Sequence, residues 1–460
     1  MLAVVLSLLP ALAVGWFAAG GARHSPAELL LRCGLAAGLA LGFTSVTYFL
    51  RLLWDVRSTT AFALAELLFF ALLSVALWLL QRRLPPALPA PSASLPWPRW
   101  LTVALVLALG CALGTGVLQA RRSPHGEIDA FAIWNLRARF FHRGGDAWRE
   151  AFSPSLGWSH TDYPLLLPAN VARCWTYAGS ETTAAPQLLA LLFAAATVAL
   201  LVAGTALLRT SAQGCLAGIV LAATPYYVEI TTAQYADVPL AFYFLASVLL
   251  FELYDRADVK SFRLPLLAGL LTGMAAWTKN EGQLFLVATL LARGVAALRG
   301  GAPWRTRGAE WLAFAAGLAP LLACLAYFKL RVALPNDLVK GQSLSATWER
   351  ITTPRRYDVI AVGALAAAGR LLLGAGAALP LYAFLLGRAP KPPRQGRHSA
   401  MVLAVMLTGY ALVYLTTPHD VGWHVGSSAD RLLLQLWPTA LLLFFLRVAA
   451  PEEKWQTKAA

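Results

Sequence analysis

Five polar clusters interrupt an otherwise apolar chain, and each holds residue types that could do chemistry. The first is HGEIDAFAIWNLRARFFHRGG, residues 125–145. Glu127 and Asp129 follow directly on an apolar run, which puts carboxylates at a membrane boundary. A carboxylate placed there can take a proton from an acceptor hydroxyl. The plainer alternative is a pair of solvated acids on a surface anchor. Phe131, Trp134, Ala138 and Phe141 keep helical spacing, with Asn135, Arg137 and Arg139 elsewhere on the wheel. That pattern predicts an amphipathic helix lying on the bilayer.

The second cluster, GWSHTDYPLLLPANVARCW (157–175), carries His160 and Asp162 ahead of a Pro-bounded apolar stretch. An N-cap aspartate and a loop histidine are the ordinary alternatives. In the third, TPYYVEITTAQYADVPLAFYF (224–244), Glu229 and Asp237 flank a short turn. Asp237-Val238-Pro239 would also suit plain helix capping. The fourth is a Lys-Asn-Glu-Gly turn between two apolar runs. It brings Lys279 and Glu281 near a membrane surface, where a lysine can hold a phosphate by charge or simply snorkel. The fifth, TTPHDVGWHVGSSADRLLLQLWP (416–438), packs His419, Asp420, Trp423, His424, Asp430 and Arg431 before the last apolar run. Arg431 suits phosphate binding; an Asp430–Arg431 surface pair is the alternative.

The elements that must position these residues are transmembrane helices. Of 460 residues 58% are apolar and 13% charged, and mean hydropathy is +0.60. Average soluble proteins carry about 25% charge, so a soluble enzyme and a disordered chain are both excluded. Apolar runs predict an all-α bundle of about thirteen spans, near 2–20, 27–50, 60–80, 100–119, 186–208, 212–226, 237–253, 264–278, 283–298, 309–328, 358–387, 400–416 and 431–448. The eleventh is too long for one perpendicular span and should tilt or break near Gly374 or Gly376. The first lacks the basic flank of a signal peptide and reads as a helix of the bundle.

The net charge of +15 would suggest nucleic acid in a soluble protein; here it reflects basic membrane loops, and no nucleic-acid partner is expected. One set of connections holds Arg23, Arg82, Arg83, Arg99, Arg209, Arg256, Lys260, Arg263, Arg293, Arg299, Arg305, Arg307, Arg388, Lys391, Arg394, Arg397, Arg447, Lys454 and Lys458. The alternate short connections hold only Arg51, Arg57, Lys279 and Arg431. The first set is therefore cytoplasmic, and the long connections 120–185 and 329–357 lie outside together with all five clusters. Glu66 and Arg370 are the expected charges within spans. Of the five cysteines, Cys174 falls in an expected loop; no spacing supports a disulfide framework or a zinc site. Transporters place ionisable residues at the bilayer centre, whereas this chain gathers them at one surface, which favours interfacial chemistry.

The order of these parts resembles the GT-C class of membrane glycosyltransferases, as in the protein O-mannosyltransferases and the lipid A aminoarabinose transferases. The matching parts are Glu127 and Asp129 leading into FAIWNLRARFF, the Tyr-Ala-Asp-Val-Pro segment with Asp237, and the Thr-Lys-Asn-Glu-Gly hairpin with Lys279. The match covers roughly residues 100–300. It implies 1–99 as accessory helices, 100–300 as a catalytic core with the external loop 120–185, and 301–460 as C-terminal helices with loops 329–357 and 417–430. It further implies sugar transfer from a polyprenyl-phosphate donor to an acceptor hydroxyl on a lipid, glycan or protein. Asp129 would be the base, with Glu127 second. Lys279 and Arg431 would neutralise the leaving phosphate, with Asp237, His160, Asp162, His424 and Arg137 binding substrate. One displacement would invert the anomeric centre. No cofactor follows with certainty, although a divalent metal would suit some of the class; the EID group is not a clean paired-acid motif. Two rivals share the outer-face signals: a lipid-linked glycan polymerase or ligase, and a transporter or flippase with a polar cavity at the bilayer midplane. A scaffold without catalysis is a third. The Ala/Leu/Arg-rich composition and short loops suit a bacterial inner membrane, with the active side facing the periplasm.

Overall fold

The computed structural model describes residues 2–20, 25–83, 97–299, 303–336, 338, 342–389 and 396–453. Arg23, Lys391, Arg394, Lys454 and Lys458, and most of the two proline-rich connections, lie outside them. The described chain is helical, with no strand: α1 (Leu2–Ala19), α2 (Pro26–Leu53), α3 (Thr59–Arg83), α4 (Arg99–Arg122), α5 (Asn135–Arg143), α6 (Leu166–Ala178), α7 (Ala184–Leu208), α8 (Ser211–Ala222), α9 (Pro225–Thr232), α10 (Asp237–Arg256), α11 (Arg263–Ala276), α12 (Asn280–Arg299), α13 (Trp304–Arg331), α14 (Leu344–Thr352), α15 (Pro354–Leu372), α16 (Leu379–Leu386), α17 (Arg397–Thr416) and α18 (Val421–Arg447). It is an integral, multi-pass membrane protein: ten of these helices are long and apolar enough to cross a bilayer, or up to 12 spans if each bent pair counts as one. The bent pairs are α8–α9, at 60°, and α15 with 374–386, at 100°. With the 14-residue α11, these elements coincide with all the apolar runs read from the sequence. The expected break near Gly374 is present, and Gly374 itself takes φ +74 against the Ala223 carbonyl.

Side-chain contacts show which helix ends share a face. Gln187 of α7 donates to the carbonyls of Ala120 and Pro124, Lys329 of α13 to that of Asp162, and Arg356 of α15 to those of Tyr414 and Thr417. All the polar clusters meet on this site face. On the opposite face Arg293 bridges Asp255 and Glu310, and buried Glu252 accepts from the Gly396 and Ser399 amides at the start of α17.

Helix α10 runs through the centre, and every residue from Asp237 to Tyr254 is buried. Small residues let its neighbours approach closely. A Cβ on Gly269 of α11 would lie 2.1 Å from the Phe314 carbonyl of α13, and one on Gly317 1.9 Å from that of Leu266. Helix α11 rises only roughly 21 Å, less than the roughly 30 Å hydrocarbon core. Its tip, Trp277–Lys279, therefore ends short of the surface and is buried in the protein.

One expectation is corrected. Cys174 is buried within α6, not in a loop. Residues 165–176 are almost wholly inside the protein because α6 packs against α2, α5 and α1. Arg370, in the last turn of α15 just before the 100° bend, pairs with Glu229 and Asp430. Glu66, in contrast, is buried inside a span and meets Arg173 of α6 at 2.8 Å.

Candidate active site

Four charged residues, remote in sequence, converge beside the buried tip of α11. Asp129 forms an ion pair with Arg431 of α18. Asp237, at the first turn of α10, lies 3.2 Å from the Lys279 ammonium, which is 2.8 Å from Glu281. Gln435, one turn beyond Arg431, donates to the same Asp237 oxygen at 2.6 Å and accepts from the Tyr410 hydroxyl. Arg431 is within electrostatic reach of Asp129 and Asp237 together, which joins the two pairs into one array.

Local structure explains each placement. Asp129 sits between Gly126 and a π-helical turn, Ala130–Trp134. Gly126 takes φ +73, and a Cβ there would lie 2.6 Å from the Ala233 carbonyl, so residues 126–129 press against the 233–236 turn. The Glu127 amide donates to that same carbonyl. Gln234 adopts φ +60 and bonds both Pro124 and Asn135, which locks the two turns together. Strained backbone and π turns concentrate at functional sites. Asp237 does not cap α10; its side chain makes no cap hydrogen bond and is spent on Lys279 and Gln435. The capping reading is thereby overturned.

Burial divides the array. Asp237 is 1% exposed and Lys279 4%, whereas the side chains of Asp129 and Arg431 are about one-fifth exposed. Burial alone would lower the Lys279 ammonium, but Asp237 and Glu281 beside it hold it above its ordinary value. Lys279 is therefore a fixed positive charge at neutral pH. Buried Arg431 Nε and Glu281 Oε2 have no hydrogen-bond partner among the described residues. Unsatisfied buried polar atoms are uncommon and mark places where a ligand could complete the bonding.

Two tyrosines join the array: Tyr235, which the sequence offers as an interface-belt residue or a platform for a sugar ring, and Tyr163, which no spacing in the sequence singles out. Tyr163 stands in the middle of the array, with Lys279 5.7 Å from its ring centre and Glu281, Asp162 and Arg431 in electrostatic range. Trp134 and His160 stack on either side, at 5.7 and 4.7 Å. Burial pushes its phenol up, so it stays protonated as a donor. Tyr235 lies 5.3 Å from the Arg431 guanidinium.

The other predicted residues surround this array. Arg137 is fully buried and donates to the carbonyls of Ser159, His160 and Tyr163. Burial lowers its guanidinium, and its work is to fold the 159–163 loop that presents Tyr163. Asp162 accepts from Asn280 at 2.6 Å and Asn336 at 2.8 Å, tying that loop to α12 and the stretch after α13. His424 bonds Thr417 and faces Tyr414, two turns above Arg431. Glu127 is exposed, with its backbone alone held in place. The amphipathic stripe is corrected: Trp134, Ala138 and Phe141 are buried against protein, and only Phe131 faces outward, 48% exposed. The stripe packs into the fold because α6 and residues 145–152 offer it an apolar seat before lipid does. An Asp430–Arg431 pair does not form, since Asp430 turns to Arg370 and Arg431 to Asp129.

A divalent metal does not fit this array. Each inner carboxylate is already matched by a cation, and no group of three or more His, Cys, Asp or Glu gathers among the described residues. Compared with protein-family models, curated proteins and solved structures, the chain matches none.

Proposed function

We propose that this protein is a GT-C-type membrane glycosyltransferase, moving a sugar from a polyprenyl-phosphate donor to an acceptor hydroxyl at the site face. By its loop charges that face is the outer side of the membrane, and the Ala/Leu/Arg-rich composition and short loops suit the periplasmic side of a bacterial inner membrane. The observation that carries this reading is the convergence of Asp129, Asp237, Lys279 and Arg431 in one charged array. The array offers a carboxylate and a guanidinium at its rim, Asp129 and Arg431, and a second cation, Lys279, deeper in. That is the division of labour required when a hydroxyl loses a proton while a phosphate leaves.

Asp129 acts as the general base, and the acceptor oxygen attacks the anomeric carbon as the bond to phosphate breaks. One displacement inverts the centre. Lys279 and Arg431 stabilise the charge developing on the phosphate, the kind of electrostatic term that dominates many active sites. Asp237 and Gln435 hold Lys279 in place, and the Tyr163 hydroxyl donates toward the same oxygens. In the resting array Arg431 is bonded to Asp129. A bound donor phosphate would draw Arg431 away and release Asp129 as the base. This couples donor binding to activation of the base.

A flippase would need a polar cavity at the bilayer midplane. A cavity of about 210 Å³ lies at the site-face ends of α4, α7 and α9, and the four charged residues gather on that same face, which favours chemistry there. The test is a panel of radiolabelled polyprenyl-phosphate sugars with purified protein and membrane extract as acceptor, run beside a reconstituted flux assay. Sugar incorporation without flux supports the proposal. Flux of intact lipid-linked sugar without incorporation would replace it with the transport reading.

A further inference from the structure

Helix α14 has no buried residue, unlike every other α-helix of the described chain. At about 100° per residue its side chains sort into three strips roughly 110° apart. Leu344, Trp348 and Ile351 form the first, Ser345, Glu349 and Thr352 the second, and Ala346 and Arg350 the third, with Thr347 between the third and the first. The third strip faces protein: α14 packs on α17 and α15, and Arg350 donates to the Thr416 carbonyl at the end of α17. The second is polar and exposed, as contact with water requires. The first is apolar, yet Leu344 is 91% and Trp348 68% exposed. Protein and water therefore account for two strips and leave the apolar one to a third medium.

The neighbouring elements say what that medium is. Helix α14 joins α13 to α15 at the site face, where α13 ends at Arg331 and α15 begins at Pro354. Apolar side chains exposed on both neighbours continue the strip: Tyr327 and Leu330 in the last turns of α13, then Tyr357, Val362 and Leu365 along α15. On membrane-spanning helices such side chains face lipid. The Tyr357 hydroxyl donates to the Ile351 carbonyl, which holds the end of α14 against this lipid-facing surface. Trp and Tyr concentrate at the headgroup level of a bilayer, and Trp348 with Tyr357 fits that depth. The bilayer seat expected for Phe131, Trp134, Ala138 and Phe141, most of which the protein itself covers, falls to α14 instead.

We infer that α14 is a membrane-seated helix, its partner the phospholipid leaflet on the site face: Leu344, Trp348 and Ile351 dip into that leaflet while Ser345 and Glu349 turn to water. The inference does not depend on the glycosyl-transfer proposal. The test uses full-length protein in nanodiscs. In a background with all five native cysteines replaced by alanine, nitroxide labels are attached at Leu344→Cys, Ser345→Cys, Trp348→Cys and Glu349→Cys. Labels at 344 and 348 should be relaxed mainly by dissolved oxygen, which concentrates in lipid, and those at 345 and 349 by a water-soluble nickel chelate. The oxygen-to-nickel ratio should differ several-fold between the two pairs. Equal access of the chelate to all four would put the apolar strip in water and overturn the inference. Exclusion of both reagents from 344 and 348 would also overturn it, and spin–spin broadening would then name a second copy of the chain as the cover. The protein with its native cysteines gives an independent reading. Phosphatidylglycerol carrying a diazirine near its ester bonds should label the tryptic peptide ending at Arg350; Trp348→Asp should cut that labelling several-fold, and Glu349→Gln should leave it unchanged. Labelling no higher than that of the buried α10, or indifferent to Trp348→Asp, would overturn the inference even where the cysteine-free protein fails to fold.

Discussion

Arg431 serves two carboxylates, Asp129 by direct contact and Asp237 through space, so its removal should disturb the array more than loss of any one acid. Arg431→Met is expected to lower transfer by about 10²–10³-fold, the range seen when a preorganised charge-stabilising donor is deleted; steady-state kinetics with a fixed donor would read it. Tyr163→Phe removes a hydroxyl that has no hydrogen-bond partner among the described residues but keeps the Trp134 and His160 stack. A hydrogen bond to a charged group is worth about 1.5–3 kcal/mol, so kcat/KM should fall roughly 10- to 100-fold with thermal stability unchanged. A stability loss with intact activity would make Tyr163 a packing residue. Lys279 gives a pH expectation. Its folded value is raised, so its charge and stabilisation are fully present below the unfolded value of about 10.4 and are lost only as pH rises through the folded value. The rate should therefore show no alkaline fall from Lys279 between pH 7 and 10. Lys279→Met should lower the profile by one factor across that window, and an alkaline limb that vanishes in the variant would contradict the assignment.

At the scale of elements, α6 carries the loop with Tyr163 into the bundle, and one buried network holds it there. Arg173 reaches both Glu66 oxygens, at 2.9 and 3.0 Å, and also Ser7 of α1; Tyr177 donates to the same carboxylate at 2.7 Å. Breaking a buried pair from one side costs about 3–5 kcal/mol. Arg173→Met should thus destabilise the protein by about that much in a denaturation assay and loosen protection of 159–178 in hydrogen exchange. A double Glu66→Met, Arg173→Met replacement should recover much of the loss, because both charges leave together. The apolar pattern made the helices legible, including the break at Gly374, since burial in lipid leaves long runs that little else explains. It could not distinguish lipid from protein as the seat of an apolar face. That is why Trp134, Ala138 and Phe141 read as a bilayer-facing stripe and Cys174 as part of a loop. Arg173 was hidden for the same reason: its partner Glu66 is 107 positions away, and no local spacing links them.

Across the whole molecule, sidedness was the strongest sequence signal for the site. The convergence of Asp129, Asp237, Lys279 and Arg431 on one face follows from where each sits relative to a helix end. The pairing partners did not follow, because they depend on α18 running past α10 and on the buried end of the short α11. The three-dimensional arrangement leaves Asp129 at the rim, in contact with the cationic array. Its role as base is thus the point on which the account turns. The direct test compares wild type, Asp129→Asn and Glu127→Gln, each verified as folded, for sugar transfer from a polyprenyl-phosphate donor. Asp129→Asn is expected to lose about 10²–10⁴-fold in kcat, as for removal of a general base, while Glu127→Gln stays within a few-fold of wild type. Transfer at the wild-type rate by Asp129→Asn would contradict the account.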